Sequence, residues 1–198
     1  MKDYRITFRV FVAFTFAVLL TASMMTPFAP THARTMATPA LQAPNVDAAG
    51  FYATDKAQRG RTIQAAFVID IPRGFHVNSN RPLGKYAVPT VVRLEAPEGV
   101  KVSPITYPRS TVRRFKFSEE QLAVYEGLTV MRFNVTVPAN FSQGTMQLRA
   151  RIKYQSCNDE VCFPPANRDV VMPIEIVNAN EQVQRVNTKL FGSGARRR

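Results

Sequence analysis

Two stretches in the second half of the chain alternate strictly between apolar and polar residues, and they constrain the fold more than any other feature. In residues 131–137 (MRFNVTV) the odd positions are apolar, and in residues 146–154 (MQLRARIKY) the even positions are apolar. Successive side chains of a β-strand point to opposite faces, so this period predicts strands with one face on a core and one in water. We therefore expect a β-sheet that is solvated on one side.

Other stretches rich in β-branched and aromatic residues are separated by turn signals such as Pro72–Gly74. They predict further strands over residues 62–71, 75–78, 90–94, 100–107, 122–125 and 170–177. About seven to nine short strands without a long amphipathic helix are typical of a β-sandwich. We predict an all-β, immunoglobulin-like β-sandwich over residues 57–178, a single domain with flexible N- and C-terminal tails.

The N-terminus has the organisation of an export signal. Three basic residues precede an apolar run over residues 10–20, and small residues follow, with a plausible cleavage site after Ala33. Residues 1–33 are therefore predicted to be a signal peptide of a periplasmic protein. The run is short for a spanning helix, which needs roughly 20 apolar residues. If residues 21–25 are included it is long enough, so an uncleaved N-terminal anchor remains the alternative.

The segments that flank the predicted domain differ from it in composition. Residues 34–56 are rich in Ala, Pro and Thr and predict a linker. Residues 179–198 form a basic C-terminal tail that ends in three arginines, and Val183, Val186 and Leu190 have the spacing of a short helix. The formal net charge is +12 at pH 7. Most basic residues are scattered along the strands, as on a solvated face, so we expect no nucleic-acid partner.

Cys157 and Cys162 are the only two cysteines in the chain, and they flank the polar turn Asn158–Glu160. Such a turn can bring their Cα atoms to the roughly 4.4–6.8 Å that a disulfide requires. A closed loop of about six residues stabilises by only about 2 kcal/mol, against more than about 4 kcal/mol for a loop near 60 residues. The pair is therefore a weak covalent staple, which favours a redox role. A structural disulfide in a non-catalytic immunoglobulin-like binding module remains the alternative.

The surroundings of the pair limit its chemistry. No Lys, Arg or His lies between the two cysteines, while Asp159 and Glu160 do. Negative charge disfavours a thiolate, so the pair is expected to need a partner protein that activates or attacks it. A zinc site usually needs four ligands, and beyond residue 33 the chain has two Cys and one His, His76. We therefore expect no metal and no cofactor, with His76 as a hydrogen-bonded structural residue.

The segment around the cysteines, residues 154–165 (YQSCNDEVCFPP), resembles the active-site segment of the N-terminal periplasmic domain of the DsbD thiol:disulfide interchange proteins. Residues 74–82 (GFHVNSNRP) and 122–127 (LAVYEG) also resemble that family. The resemblance covers residues 57–178 and implies an immunoglobulin-like fold. It also implies that the cysteine pair accepts electrons from a thioredoxin-like domain. The pair would pass them to a periplasmic disulfide isomerase or a cytochrome-maturation thioredoxin, as one component of a protein-disulfide reductase.

The resemblance also implies roles for single residues. Cys162 would form the mixed disulfide with partners, and Cys157 would be the resolving thiol. A cap loop with an aromatic shields the pair in the family; residues 108–121 match it, with Phe115 or Phe117 as the shield. The other residues expected to line the active site are Tyr125, Tyr154, Asp159 and Phe163. Because the chain ends after this domain, we expect its electrons to come from a separate protein, a membrane electron conduit. We also expect a monomer.

Overall fold

The computed structural model describes residues 42–192, whose regular secondary structure is almost entirely β-strand. The strands are β1 (Asp47–Tyr52), β2 (Lys56–Gln58), β3 (Thr62–Ile71), β4 (His76–Asn78), β5 (Val91–Glu95), β6 (Lys101–Val102), β7 (Thr111–Arg114), β8 (Gln121–Tyr125), β9 (Gly127–Thr136), β10 (Gly144–Tyr154), β11 (Ser156–Cys157) and β12 (Ala166–Val177). One helix, α1 (Thr188–Phe191), follows them within the described residues. The prediction of an all-β fold is confirmed.

Two four-stranded sheets form the body of the sandwich. Their strand orders are β1–β3–β9–β6 and β2–β12–β10–β5, and all neighbours are antiparallel except the pair β2 and β12. One core cluster joins the inner faces of β3, β9, β10 and β12. Both alternating stretches bury the predicted positions: Met131, Phe133, Val135, Val137, Met146, Leu148, Ala150, Ile152 and Tyr154.

A third sheet, in the order β11–β4–β8–β7, carries the cysteines to one side of the sandwich. Val77 of β4 pairs with Tyr125 of β8, and both side chains belong to the main core. The neighbouring positions therefore face the other way. There, Leu122 and Val124 pack with Phe115 in a second, smaller apolar cluster. This sheet thus has two covered faces, one on the main core and one under residues of the β7–β8 segment.

The linker predicted over residues 34–56 extends too far, because β1 lies inside it and β2 begins at its last residue. The small residues of β1 pack closely and do not mark a flexible segment. A Cβ atom on Gly50 would lie 2.3 Å from Cγ of Met172, so only glycine lets β1 approach β12 this closely. Tyr52 is buried and its hydroxyl donates a hydrogen bond to the carbonyl of Met172 at 3.0 Å.

The predicted flexible C-terminal tail also needs correction, because residues within 179–192 are hydrogen-bonded to the segment between β1 and β2. The backbone N–H of Val186 donates to the carbonyl of Ala53 at 2.9 Å, and that of Gln184 donates to Asp55 Oδ1 at 2.8 Å. These bonds hold the segment extended, so the predicted helix is shortened to α1. The predicted signal peptide and the terminal arginines lie outside the described residues. Within residues 42–192 we find no helix of the length and apolarity that spanning a bilayer requires.

Candidate functional site

The two cysteines face each other across a tight β-hairpin. The backbone N–H of Phe163 donates to the carbonyl of Ser156 at 2.9 Å, and that of Asn158 donates to the carbonyl of Val161, also at 2.9 Å. Cys157 and Cys162 lie between these two hydrogen-bonded pairs. Opposite residues approach most closely at such a non-hydrogen-bonded position. Their Cα atoms are 4.0 Å apart and their sulfur atoms are joined in a disulfide.

Asn158 organises the turn that closes this hairpin. Its side-chain Oδ1 accepts hydrogen bonds from the backbone N–H groups of Glu160 at 2.8 Å and Val161 at 2.7 Å. An asparagine side chain that accepts from the backbone two or three residues ahead replaces the bonds of an ordinary turn. Asp159 lies exposed at the tip. The polar turn expected between the cysteines is therefore present, and a single side chain holds it.

The two cysteines differ strongly in exposure. Cys157 is 0% exposed, whereas Cys162 is half-buried. Cys162 also lines a cavity of about 310 Å³ together with Asn78, Tyr86, Phe117, Leu122 and Gln155. An incoming thiolate must reach the sulfur that it attacks, and of the two cysteines Cys162 is the more exposed.

A hydrogen-bonded side chain, Gln155, attaches the hairpin to β4. Its Oε1 accepts from Nδ2 of Asn78 at 3.0 Å and from the backbone N–H of Val88 at 3.2 Å. Its Nε2 donates to the carbonyl of Phe163 at 3.1 Å. Neither Gln155 nor Asn78 has a predicted role, because strand patterns do not show which distant loops a polar side chain will join. Asn78 Oδ1 itself is buried and has no hydrogen-bond partner among residues 42–192.

Three rings are stacked beside the disulfide. The Phe115 ring lies 4.0 Å from the imidazole of His76, and the Phe117 ring lies 5.4 Å from Phe115, measured between centroids. Phe115 is buried, and the guanidinium of Arg113 lies over it at 5.3 Å. Of the two rings predicted to shield the cysteines, Phe117 is the one that shares the cavity with Cys162. Phe115 is buried, and the Phe117 ring also lies 6.3 Å from the imidazole of His76, so the three rings form one group.

His76 is the third ring of this group and is only 2% exposed. Its Nε2 is buried and finds no hydrogen-bond partner in the described part of the chain, so the prediction of a hydrogen-bonded histidine is wrong for this atom. Burial lowers the pKa of His76 to about 4; Arg113 adds to the decrease, while Glu126 and Asp159 partly offset it. The imidazole is therefore neutral at pH 7.

The remaining residues expected to line the site are divided between two environments. Phe163 is buried beside the hairpin, with its ring 6.0 Å from that of Phe75. Tyr125 and Tyr154 belong to the main core instead. The hydroxyl of Tyr125 donates to Oδ1 of Asn80 at 2.5 Å, on the core side of the third sheet. Strand parity explains this placement, because Tyr125 lies opposite Val77 and so points away from the face that carries His76.

The structure is a β-sandwich in which a half-buried cysteine is bonded across a hairpin to a fully buried one, beside a group of aromatic rings. These features define a class of disulfide-bearing sandwich domains. The chain belongs to the family described as "Thiol:disulfide interchange protein DsbD, N-terminal", which matches residues 46–174. The resemblance found in the sequence is thereby confirmed. The fold is accordingly the predicted immunoglobulin-like β-sandwich.

Two N-terminal domains are among the solved structures that are similar to this chain. The reduced N-terminal domain of DsbD from Neisseria meningitidis is 12% identical, with a TM-score of 0.37 over 68% of this chain and 89% of that one. The N-terminal periplasmic domain of ScsB from Proteus mirabilis is 15% identical, with a TM-score of 0.44 over 72% of this chain and 51% of that one. The comparison with curated proteins gives no match.

Proposed function

We propose that this protein is an exported thiol:disulfide exchange module that passes electrons between periplasmic redox proteins through Cys157 and Cys162. Membership of the DsbD N-terminal family supports the reaction class. The observation that carries the assignment of roles is the unequal burial of the pair. Cys162 borders a cavity, and Cys157 is fully buried.

The proposed reaction has two steps. In the reduced protein, the thiolate of Cys162 attacks one sulfur of a partner disulfide and forms a mixed disulfide, while the partner's other sulfur leaves as a thiolate. Cys157 then attacks Sγ of Cys162, the Cys157–Cys162 bond forms, and the partner departs as a dithiol. Two electrons have moved to the partner. The reverse sequence, with a reduced thioredoxin-like protein as the attacking partner, regenerates the dithiol.

The surroundings of Cys162 support a reaction that depends on the partner. The acidic residues Asp159 and Glu160 lie on the exposed turn, and nearby negative charge disfavours a thiolate. Phe117 lies across the same cavity and restricts access by small thiols and oxidants. We propose that a docking thioredoxin-like protein displaces this ring. A membrane electron conduit would be the source of electrons, and a disulfide isomerase or cytochrome-maturation thioredoxin would be the recipient.

Covalent trapping tests the two roles. A Cys157→Ala variant keeps the reactive thiol but lacks the resolving one, so it should accumulate mixed disulfides in periplasmic extracts. The matched Cys162→Ala variant retains only the buried thiol and should trap little. The complexes should be visible on non-reducing gels and should disappear when the samples are first treated with dithiothreitol. If neither variant forms a covalent complex, or if Cys162→Ala traps as well as Cys157→Ala, the proposed roles are wrong.

A redox titration separates this function from that of a binding module with a structural disulfide. A structural disulfide could also have a fully buried cysteine, so the burial of Cys157 does not separate the two functions. The reduction potential of the pair does. Structural disulfides of secreted proteins have potentials below about −300 mV, whereas exchange-active ones lie higher. We expect the pair to equilibrate in glutathione or dithiothreitol buffers above that value. A pair that stays oxidised throughout would favour the binding module.

A further inference from the structure

His76 occupies a position that no part of the exchange reaction described above uses. It lies in the middle of the third sheet, where β4 and β11 are antiparallel and His76 is directly opposite Cys157. Directly opposite residues point to the same face, with Cβ atoms roughly 4.5–5.5 Å apart. His76 is 2% exposed and Cys157 is 0% exposed. The imidazole and the sulfur are thus enclosed side by side, with the Phe115 ring stacked on the imidazole at 4.0 Å.

The hydrogen-bonding state of His76 is unusual for a buried group. Buried polar atoms nearly always have a partner, yet Nε2 of His76 has none within residues 42–192. The disulfide offers no hydrogen to accept. On reduction, Cys157 becomes a thiol, which is a donor. When Nε2 is the unprotonated nitrogen of the neutral ring, the thiol is a new donor beside an unfilled acceptor, and this donor exists only when the pair is reduced.

The charged groups near His76 act on its pKa in both directions. Arg113 of β7 opposes protonation, whereas Glu126 after β8 and Asp159 on the hairpin favour it. Burial outweighs these charges and lowers the pKa of His76 to about 4 in the oxidised protein. A thiolate formed next to the ring adds a negative charge that favours the imidazolium. The ring is neutral at pH 7 and has one unprotonated nitrogen, but its pKa of about 4 makes it a weak base until a thiolate forms beside it.

We propose that His76 accepts the proton of the Cys157 thiol as Cys157 resolves the mixed disulfide. This inference rests on the exchange function proposed above. The S–H bond of Cys157 breaks and its proton passes to the imidazole. The Cys157 thiolate then forms the bond to Sγ of Cys162, whose bond to the partner sulfur breaks. The partner leaves as a thiolate and takes a proton from the imidazolium or from water, so the dithiol has lost two electrons and two protons.

The two steps can be timed separately with 5,5′-dithiobis(2-nitrobenzoate) as the disulfide probe. With the reduced full-length protein, attack by Cys162 releases one nitrothiobenzoate ion, and resolution by Cys157 releases a second. The first phase depends on probe concentration, and the second does not. A Cys157→Ala variant should lose the second phase only. If it does not, the exchange function itself fails, independently of what His76 does.

The variants His76→Phe and His76→Gln test the inference. Phe keeps a ring in the stack, and Gln keeps a hydrogen-bond acceptor, but neither can hold the proton. At pH 7 we expect the second phase to slow by about tenfold or more in both, with the first phase unchanged, because positioned bases contribute 10²-fold or more. The difference should narrow as the pH approaches that of an ordinary thiol pKa, about 8.5.

Each outcome either supports or overturns the inference about His76. Slow resolution in both variants, restored by raising the pH, supports proton acceptance by His76. A second phase that matches the unaltered protein in rate and pH profile overturns the inference. If Gln retains the full rate while Phe does not, His76 only supplies a hydrogen bond and the inference is also overturned. Circular dichroism and the melting temperature of each oxidised variant identify any that fails to fold, and the other variant then gives the result.

Discussion

Acid should destabilise the oxidised protein through His76, and replacing this residue should remove that sensitivity. The imidazole has a pKa of about 4 in the folded protein, whereas an unperturbed histidine in the unfolded chain titrates near 6.5. Between these values the unfolded state binds more protons, so the free energy of unfolding falls as the pH falls. Above about pH 6.5 the residue contributes no pH dependence, and below about pH 4 the loss is complete.

The size of the loss follows from the shift. Each pKa unit corresponds to about 1.4 kcal/mol, so the full loss is about 3 kcal/mol, of which about 2 kcal/mol has occurred by pH 5. The magnitude is large compared with a domain stability of about 5–15 kcal/mol. It is consistent with the burial of the ring, which is 2% exposed between Cys157 and Phe115.

Urea denaturation at a series of pH values between 8 and 4 measures the effect in the unaltered protein and in His76→Phe. Phenylalanine keeps an aromatic ring in the stack but does not titrate. Carboxylates titrate in the same range, and taking the difference between the two proteins cancels their contribution. On going from pH 8 to pH 5, the free energy of unfolding of His76→Phe should rise by about 2 kcal/mol relative to that of the unaltered protein. A constant difference across this range would refute the reasoning, since His76 would then not be held neutral by burial.

Two further predictions concern the site. Phe117→Ala should let glutathione reduce the Cys157–Cys162 disulfide several-fold faster, because Phe117 lines the cavity beside Cys162. Phe141→Ala, which removes a half-buried ring that packs on the main core, should leave that rate unchanged; equal acceleration would mean general loosening. Asn158→Ala should lower the free energy of unfolding of the oxidised protein by about 1–2 kcal/mol, because two backbone N–H groups lose their acceptor. Glu160→Ala on the same exposed turn should change it by less than about 0.5 kcal/mol, and a similar loss in both would contradict the role of Asn158.

Local patterns predicted the elements whose structure depends on their own residues. The alternation in 131–137 and 146–154 correctly identified the faces that β9 and β10 bury, because a strand's side chains take opposite faces whatever its partner is. The turn between the cysteines was predictable for the same reason, since Asn158 closes it with bonds to the next few residues. The small residues of β1 were misleading, because flexibility and close packing both favour Gly and Ala.

The sequence by itself determined an all-β chain with a covalently closed cysteine hairpin, because periodicity and turn chemistry act over a few residues. Only the tertiary structure decided that Cys157 is enclosed while Cys162 borders a cavity, and that Phe117 and not Phe115 shares that cavity. It also decided that His76 lies opposite Cys157. These facts depend on which strands pair and in which register. Pairing between distant segments is set by the packing of the whole core, and no local pattern encodes it.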